Sequence, residues 1–266
     1  MRMDNIPILL TAAVSTHGMK WAAFSDEERE AMYLSTLTYY LVNMPGYRFV
    51  FAENSDWDLI GFSAKLPASL AEKCKENVEF ISVPHSLCDI SRGKGYNEMI
   101  MMKEAVLRSK SISQAGAFFK VTGRYPVYNL ARFVREATDT INKGYKLYCD
   151  IKDHPLYDHL GYGWSGHSFE CRLFGCTNDF FLTEFAPKTD LCNDYEGRNL
   201  EDVLFEVVKQ TKSPIKDRFK REPHLGGVAG HTVSSLAFSQ NHDDIKSKFK
   251  RLVGNSFRIF APWFKF

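Results

Sequence analysis

The sequence predicts an α/β protein with a mostly parallel central sheet that is flanked by helices. Short apolar runs of strand length alternate with segments of helical periodicity through the first 85 residues. The apolar runs are continuous, which is typical of parallel strands that are buried on both faces. Each run also ends in polar residues, so we expect polar side chains to collect along one edge of the sheet.

The first part of the chain has the order strand, helix, strand, helix, strand. The run over 6–13 predicts the first strand, and the capping box Ser25-Asp26-Glu27-Glu28 begins a helix that Pro45-Gly46 ends. The next elements are predicted over 47–52, 65–75 and 78–83. Parallel pairing with right-handed crossovers is the simplest topology for this order.

The rest of the chain is less regular. The loop Gly93-Lys94-Gly95 leads into a helix that begins at Glu98. A strand over 118–122 ends in Gly123-Arg124, and a helix follows from Pro126, whose fixed φ suits a first helical turn. Further strands are predicted over 146–151 and 171–177, a short helix over 179–185, and a strong helix that Asn199 caps.

The composition is that of an ordinary globular protein. The chain has 266 residues, 44% of them hydrophobic, and a net charge of +2, so its overall charge does not favour nucleic acid. Its six cysteines lack zinc-ligand spacing, which favours a reducing cytoplasm. The first apolar run is short and interrupted by threonine, and we identify no signal peptide or membrane span.

We interpret the chain as one domain with an extension. Residues 1–212 hold the alternating elements, and residues 213–266 hold a glycine-rich loop and a basic, aromatic C-terminal stretch. The glycine-rich loop, over 224–232, either brings backbone amides to a phosphate or forms a mobile lid. Two interpretations of the C-terminal stretch stay open: a segment that binds a membrane surface and a tail docked on the core.

Arg124 and Lys94 are the candidate ligands for an anion. A strand that ends in a turn with a cation and then enters a helix is a common ligand site in α/β proteins, and Arg124 stands in such a turn. Lys94 lies in a glycine-flanked loop before a helix, where backbone amides and the helix dipole favour phosphate. The alternatives are a solvated loop arginine and a flexible basic turn.

Acidic and aromatic residues complete the candidate site. Asp194 and Glu196 come just before the helix that Asn199 caps, where a carboxylate is either an electrostatic partner of the helix or a general base. Trp164 and His167 lie in a glycine-rich stretch whose composition suits a sugar platform and, equally, a tight packing corner.

An ordered set of motifs resembles the GT-A-type glycosyltransferases of bacterial capsule and lipopolysaccharide gene clusters. The motifs extend from residue 6 to about residue 210. They are Leu10-Thr11-Ala12-Ala13, Phe51-Ala52-Glu53-Asn54-Ser55, Gly93-Lys94-Gly95-Tyr96-Asn97-Glu98, Lys120-Val121-Thr122-Gly123-Arg124-Tyr125, Trp164-Ser165-Gly166-His167-Ser168 and Asn193-Asp194-Tyr195-Glu196-Gly197. The resemblance implies a GT-A-like (Rossmann-like) sheet and a glycosyltransferase of the hexosyltransferase type.

The resemblance also implies a nucleotide-sugar donor at the carboxyl ends of the first strands. The diphosphate would lie near Lys94 and Arg124. The other residues expected to bind the donor are Thr11, Ala12, Glu53, Asn54, Glu98, Lys120, Thr122, Gly123 and Tyr125. The acceptor would be a glycan or a lipid-linked glycan of the bacterial surface, which implies a cytoplasmic enzyme that is peripheral at the inner membrane.

One departure from the family concerns the metal. Most GT-A enzymes carry an Asp-x-Asp motif where the fourth strand ends, whereas this chain has Thr122-Gly123-Arg124. Hard cations need carboxylate oxygens, while a guanidinium can neutralise a diphosphate through bidentate hydrogen bonds. We therefore expect transfer without a metal cofactor. The alternative is Mn²⁺ or Mg²⁺ held by Asp150 or Asp153.

For an inverting transfer, the resemblance leads us to expect Glu196, and after it Asp194, as the base, while Lys94 and Arg124 stabilise the leaving diphosphate. Trp164 and His167 would shape the acceptor or sugar pocket. Two other classes stay open. One is a non-catalytic nucleotide- or sugar-binding subunit of a polysaccharide assembly complex; the other is a nucleotidyltransferase, which would need a metal-binding pair of carboxylates.

Overall fold

The computed structural model of the protein describes residues 5–20, 22–154, 166–226 and 245–261. The strands are β1 (Ile8–Ala12), β2 (Phe49–Glu53), β3 (Val78–Ser82), β4 (Ala117–Thr122), β5 (Leu147–Tyr148), β6 (Ile151–Asp153), β7 (His167–Phe169), β8 (Leu173–Thr177) and β9 (Ile215–Lys216). The helices are α1 (Asp26–Asn43), α2 (Leu59–Ala64), α3 (Ala71–Asn77), α4 (Gly93–Arg108), α5 (Lys110–Ala115), α6 (Leu130–Asn142), α7 (Asn178–Phe180), α8 (Leu200–Gln210) and α9 (Ile245–Phe260).

A seven-stranded sheet with the order β3-β2-β1-β4-β8-β5-β9 forms the centre of the molecule. The strands β3, β2, β1 and β4 are parallel to one another, while β8 runs antiparallel to both β4 and β5. Strands β6 and β7 pair separately as a small antiparallel sheet. The predicted class, a mostly parallel α/β sheet flanked by helices, is therefore confirmed.

The two faces of the sheet carry two apolar clusters because side chains alternate along each strand. In β1, Ile8 and Leu10 face one cluster and Leu9 faces the other. Helices α1, α2, α3 and α6 supply the first cluster, and α4, α5, α7 and α8 supply the second. Every residue of β1 and β2 is buried, which explains their continuous apolar sequence.

The first helix has the predicted start. The Ser25 hydroxyl accepts a hydrogen bond from the Glu28 amide, and the Glu28 carboxylate accepts one from the Ser25 amide, so the capping box is formed. Helix α1 ends at Asn43, two residues before Pro45.

Several boundaries differ from the sequence prediction. The helix after β4 begins at Leu130 rather than at Pro126, because Val127 is held in an extended bridge to Leu225 and its amide donates to the Tyr40 hydroxyl (2.9 Å). Helix α4 begins at Gly93, five residues before the predicted start at Glu98.

Two further predicted elements are divided in the structure. The strand predicted over 146–151 is split into β5 and β6, because the Cys149 and Ile151 amides donate to carbonyls of the segment that contains β9. The range 65–75, predicted as one helix, holds a short 3₁₀ turn and most of α3, and the separate helix α2 precedes it.

The glycine-rich loop lies largely beyond the described residues, which end at Gly226 and resume at Ile245. Among the described helices, none combines the length and hydrophobicity that crossing a membrane requires.

Gly175 lies where helix α6 packs closely against the sheet. A Cβ at this position would lie 2.7 Å from the Cβ of Ala137 in α6 and 3.2 Å from Phe119. We expect Gly175→Ala to lower the free energy of unfolding by about 1–3 kcal/mol through overpacking. Ser113→Ala, at an exposed position of α5, is the matched control. Chemical denaturation of both variants tests the packing, and equal midpoints would contradict it.

Candidate active site

A cleft of about 840 Å³ opens at the carboxyl ends of β1 and β4. Thr122, the last residue of β4, pairs in register with Thr11, the penultimate residue of β1, and both line the cleft. The strand order reverses at this point, since β2 and β3 lie on one side of β1 while β4 lies on the other. Open α/β sheets bind ligands at such a switch point, so the sheet topology itself places a candidate site here.

A buried ion pair forms the floor of the cleft. The Lys120 side chain is 0% exposed, and its ammonium contacts Glu98 Oε1 at 2.7 Å, the Cys171 carbonyl at 2.6 Å and Thr122 Oγ1 at 3.0 Å. Thr11 Oγ1 donates to the same Glu98 oxygen at 2.8 Å. These three partners match the three donors of the ammonium. Lys120, expected to bind the donor, therefore fixes Glu98 and the strand ends instead.

Asp194 occupies the amino end of α4. Its Oδ2 accepts hydrogen bonds from the backbone amides of Lys94 (2.6 Å) and Gly95 (3.2 Å). Gly93 has a φ of +86°, and a Cβ there would lie 2.6 Å from Asp194, so glycine is required for this contact. The backbone amides expected to cradle a phosphate are thus already paired with a carboxylate. The residue expected to be the second candidate base is instead a cap of α4.

Arg124 and Lys94 place positive charge in the cleft. Arg124 Nε is buried without a hydrogen-bond partner, and no carboxylate of a described residue lies within ion-pair distance of its guanidinium. Lys94 is exposed at the cleft, but partial desolvation lowers its pKa, and the charge of Arg124 lowers it further although Asp194 opposes this. Two mutually repelling cations with an unsatisfied donor favour an anionic ligand.

The other arginines of the cleft have partners. Arg29 donates to the carbonyls of Ala13 and Val14 and thereby holds the loop after β1. Arg172 forms a bidentate ion pair with Glu170. Burial alone would raise the pKa of Glu170, but the Arg172 guanidinium and its hydrogen bonds lower it. These contacts make Arg29 and Arg172 structural supports of the cleft wall.

Glu201 is a carboxylate that the sequence analysis missed. It is the second residue of α8, it lines the cleft, and no described side chain forms a hydrogen bond or ion pair with its carboxylate. Glu201 is exposed at the cleft. Partial desolvation by the cleft wall raises the pKa of its carboxyl, a hydrogen bond with its own backbone lowers it, and the charges of Glu98 and Asp194 raise it. A carboxylate with a raised pKa is suited to accept a proton. The sequence feature that could have identified Glu201 is its position in the first turn of the helix that follows Asn199.

The residues after β1 and β2 form the opposite wall. Thr11, Ala12 and Asn54 line it as expected, and the rings of His17 and His85 stack there with centroids 3.8 Å apart. Glu53, by contrast, is fully buried outside the cleft lining. Its carboxylate accepts hydrogen bonds from the backbone amides of Val14, Ser55 and Trp57. Glu53 therefore holds the loops in place from outside the cleft lining.

Several other expected site residues lie elsewhere. Glu196 is exposed and does not line the cleft. His167 is also outside the cleft, where its Nδ1 lies 3.0 Å from Asp153. Gly123 supports the site indirectly, because its amide donates to the Thr11 carbonyl at 2.9 Å. Tyr125 does line the cleft, whereas Trp164 lies outside the described residues.

The described side chains do not fit a divalent metal. Among them, no group of three or more His, Cys, Asp or Glu residues converges as a metal site. Asp150 pairs with Arg258 at 2.9 Å, and Asp153 pairs with Lys209 at 2.8 Å. The two carboxylates considered as alternative metal ligands are therefore engaged with cations, whereas Mg²⁺ and Mn²⁺ require free carboxylate oxygens.

Comparison with known proteins gives distant structural similarities. No protein-family model matches the chain, and no curated protein sequence matches it. The galactosyltransferase LgtC, solved with donor and acceptor sugar analogues, is 11% identical over 81% of this chain and 74% of its own, with a TM-score of 0.46.

Two other solved structures give similar values. Mouse xyloside xylosyltransferase 1 is 11% identical over 80% of this chain and 84% of its own, with a TM-score of 0.48. The UDP-glucose pyrophosphorylase of Acinetobacter baumannii is 12% identical over 95% of this chain and 99% of its own, with a TM-score of 0.45. Similarities this distant do not assign a function, so function has to be argued from the cleft.

We expect Lys120→Met to lower the free energy of unfolding by about 3–5 kcal/mol, because it leaves the Glu98 carboxylate without its cation. The double variant Glu98→Gln/Lys120→Met should recover part of that loss, since it removes both charges. Lys103→Met, an exposed lysine of the same helix as Glu98, is the control. Denaturant melts of these variants and of Glu98→Gln alone complete the cycle that measures the coupling, and additive losses would refute the proposed pairing.

Proposed function

We propose that the protein is a glycosyltransferase that moves a hexosyl group from a nucleotide-sugar donor to an acceptor hydroxyl. The observation that carries this proposal is Arg124: a cation with an unpartnered, buried Nε in a large cleft at the switch point of the sheet. Lys94 adds a second positive charge there. Such a site suits a diphosphate, which carries several negative charges and many acceptor oxygens.

Arg124 and Lys94 have the role of stabilising the leaving group. As the bond between the anomeric carbon and the diphosphate oxygen breaks, its electron pair leaves with the diphosphate. Hydrogen-bond donors that already point to the position of the developing negative charge stabilise the transition state, because the site does not have to rearrange during the reaction. Because the engaged Asp150 and Asp153 and the turn Thr122-Gly123-Arg124 do not fit a divalent cation, the proposal is a transfer that does not depend on a metal.

Glu201 is the base in this proposal, in place of Glu196. In a direct displacement the acceptor oxygen bonds to the anomeric carbon and its proton passes to the Glu201 carboxylate. Glu201 faces the cleft and has no competing side-chain partner among the described residues, while Asp194 caps α4 and Glu196 is exposed elsewhere. The raised pKa of Glu201 increases its basicity over that of an ordinary carboxylate.

The acceptor in this proposal is a growing bacterial surface glycan, of capsule or lipopolysaccharide, handled on the cytoplasmic side of the inner membrane. The ordered motifs between residues 6 and 210 support that assignment. A non-catalytic subunit with the same cleft would bind nucleotide without turnover, and the experiments below separate it from an enzyme.

A panel of nucleotide sugars with bacterial glycan extracts tests the activity through the release of nucleoside diphosphate. We expect turnover that persists in EDTA. Loss of turnover in EDTA with recovery in Mn²⁺ would overturn the role given to Arg124. Nucleotide binding without turnover on any donor and acceptor would point to the binding subunit instead.

Arg124→Ala should lower kcat about 10²–10³-fold, as expected for the loss of a preorganised donor to a developing charge. Arg124→Lys keeps the charge and separates two explanations: a small loss indicates charge alone, and a loss equal to that of alanine indicates bidentate geometry. Arg135→Ala, an exposed arginine of α6, should behave as the unmodified protein. If all three variants keep full kcat, Arg124 does not face the leaving group.

The pH dependence tests Glu201. A base must be deprotonated, and the pKa of Glu201 is raised, so kcat/KM should fall as the pH decreases through a value above the ordinary glutamate pKa of about 4.3. Glu201→Gln should abolish this decrease of kcat/KM at low pH and should also remove most of the activity. Glu196→Gln is the matched control outside the cleft, and the assignment fails if this variant loses activity while Glu201→Gln keeps it.

A further inference from the structure

The orientation of helix α9 is reversed relative to an ordinary surface helix. A surface helix normally buries its apolar stripe and turns its polar face to solvent. Among the described side chains of α9, polar ones form hydrogen bonds with the core. Arg258 donates to Asp150 Oδ1 at 2.9 Å and to the Phe219 carbonyl at 3.2 Å, and Asn255 Oδ1 accepts from the Glu222 amide at 3.0 Å.

The apolar side chains of the same helix that the structure describes face solvent. Leu252 is 64% exposed, Ile259 is 56% exposed and Phe260 is 79% exposed. Positions 252 and 259 are seven residues apart, which places them on one stripe of the helix, and 253 and 260 form the adjacent stripe. Val253 is also exposed. The result is a continuous outward apolar face, which we call the α9 face, made of Leu252, Val253, Ile259 and Phe260.

The charge of this part of the chain has one sign. From residue 245 to the C-terminus there are six lysines and arginines and no aspartate or glutamate. Since the whole chain carries +2 and this segment carries +6, the remaining residues carry a net −4. The net positive charge of the protein therefore comes from the stretch of sequence that contains α9.

We propose that the α9 face docks on the surface of an anionic lipid bilayer. Helices with an apolar face and a basic complement lie in the membrane interface, where the apolar side chains enter the acyl boundary and the cations meet anionic headgroups. A second copy of the chain fits less well, because pairing two such helices would bring two segments of charge +6 together.

The anchorage of α9 gives this docking a mechanical consequence. Arg258 joins the helix to Asp150, whose Oδ1 also accepts from the Phe219 amide (2.9 Å). Because these partners lie beside the central sheet, a bilayer that binds the α9 face also holds the core. This inference does not depend on the chemistry of the cleft.

Sedimentation with vesicles tests the proposal without measuring transfer. The full-length protein is mixed with vesicles of phosphatidylcholine alone or of phosphatidylcholine and phosphatidylglycerol at 3:1, a ratio of the order used to represent anionic leaflets. We expect at least a tenfold stronger partitioning to the anionic vesicles, which high salt weakens by screening. Absence of vesicle binding at low salt would overturn the proposal.

Charge substitutions on the α9 face give the decisive comparison. Ile259→Glu and Phe260→Glu should each reduce binding to anionic vesicles about tenfold or more, because each removes apolar contact and adds a repelled charge. Both residues are exposed, so circular dichroism should show an unchanged fold. Ile60→Glu, at an apolar position of α2 that is 84% exposed, is the matched control and should bind as the unmodified protein.

Two outcomes would contradict the inference. Equal binding by all three variants would locate lipid contact elsewhere. A protein that is dimeric by light scattering, and becomes monomeric only with Ile259→Glu or Phe260→Glu, would identify the α9 face as an interface between copies of the chain. Failure of the inference leaves the proposed transferase activity unaffected, since neither assay measures turnover.

Discussion

The ion pair between Lys120 and Glu98 is the interaction on which the cleft depends. It joins the end of β4 to α4, and through Thr11 and the Cys171 carbonyl it also joins β1 and the segment before β8. A fully buried ammonium is costly unless every donor is satisfied, and here each donor has an acceptor. The pair therefore fixes the relative positions of β1, β4 and α4, which present Thr11, Arg124 and Lys94 to the cleft.

The cleft separates residues that hold the site from residues that face a ligand. Glu53, Lys120, Asp194 and Arg29 all have their polar atoms engaged by the protein. Arg124 and Glu201 do not have such partners among the described side chains. The proposed chemistry uses this second group, with Lys94 as a further cation. Charge alone would not have distinguished the two groups.

Much of the fold could be predicted from the sequence, because β1 and β2 are nearly continuous apolar runs and β3 and β4 are largely apolar, each interrupted by one charged residue. The direction of β8 could not be predicted in this way, since an apolar strand reads the same whether it is parallel or antiparallel. The location of Arg124 in the cleft follows from its place at a strand end. The contact between Asp194 and the amides of α4 joins residues 100 positions apart, and no local pattern signals it.

The antiparallel direction of β8 has a consequence for how such a cleft can diversify. Because β8 runs opposite to β4, its amino end, and not its carboxyl end, lies beside the ends of β1 and β4. Cys171 and Arg172, which line the cleft, come from the connection that enters this strand. Changes of length or sequence in a connection leave the ladder of paired strands intact. The rim of the cleft at this point can thus evolve separately from the parallel half of the sheet.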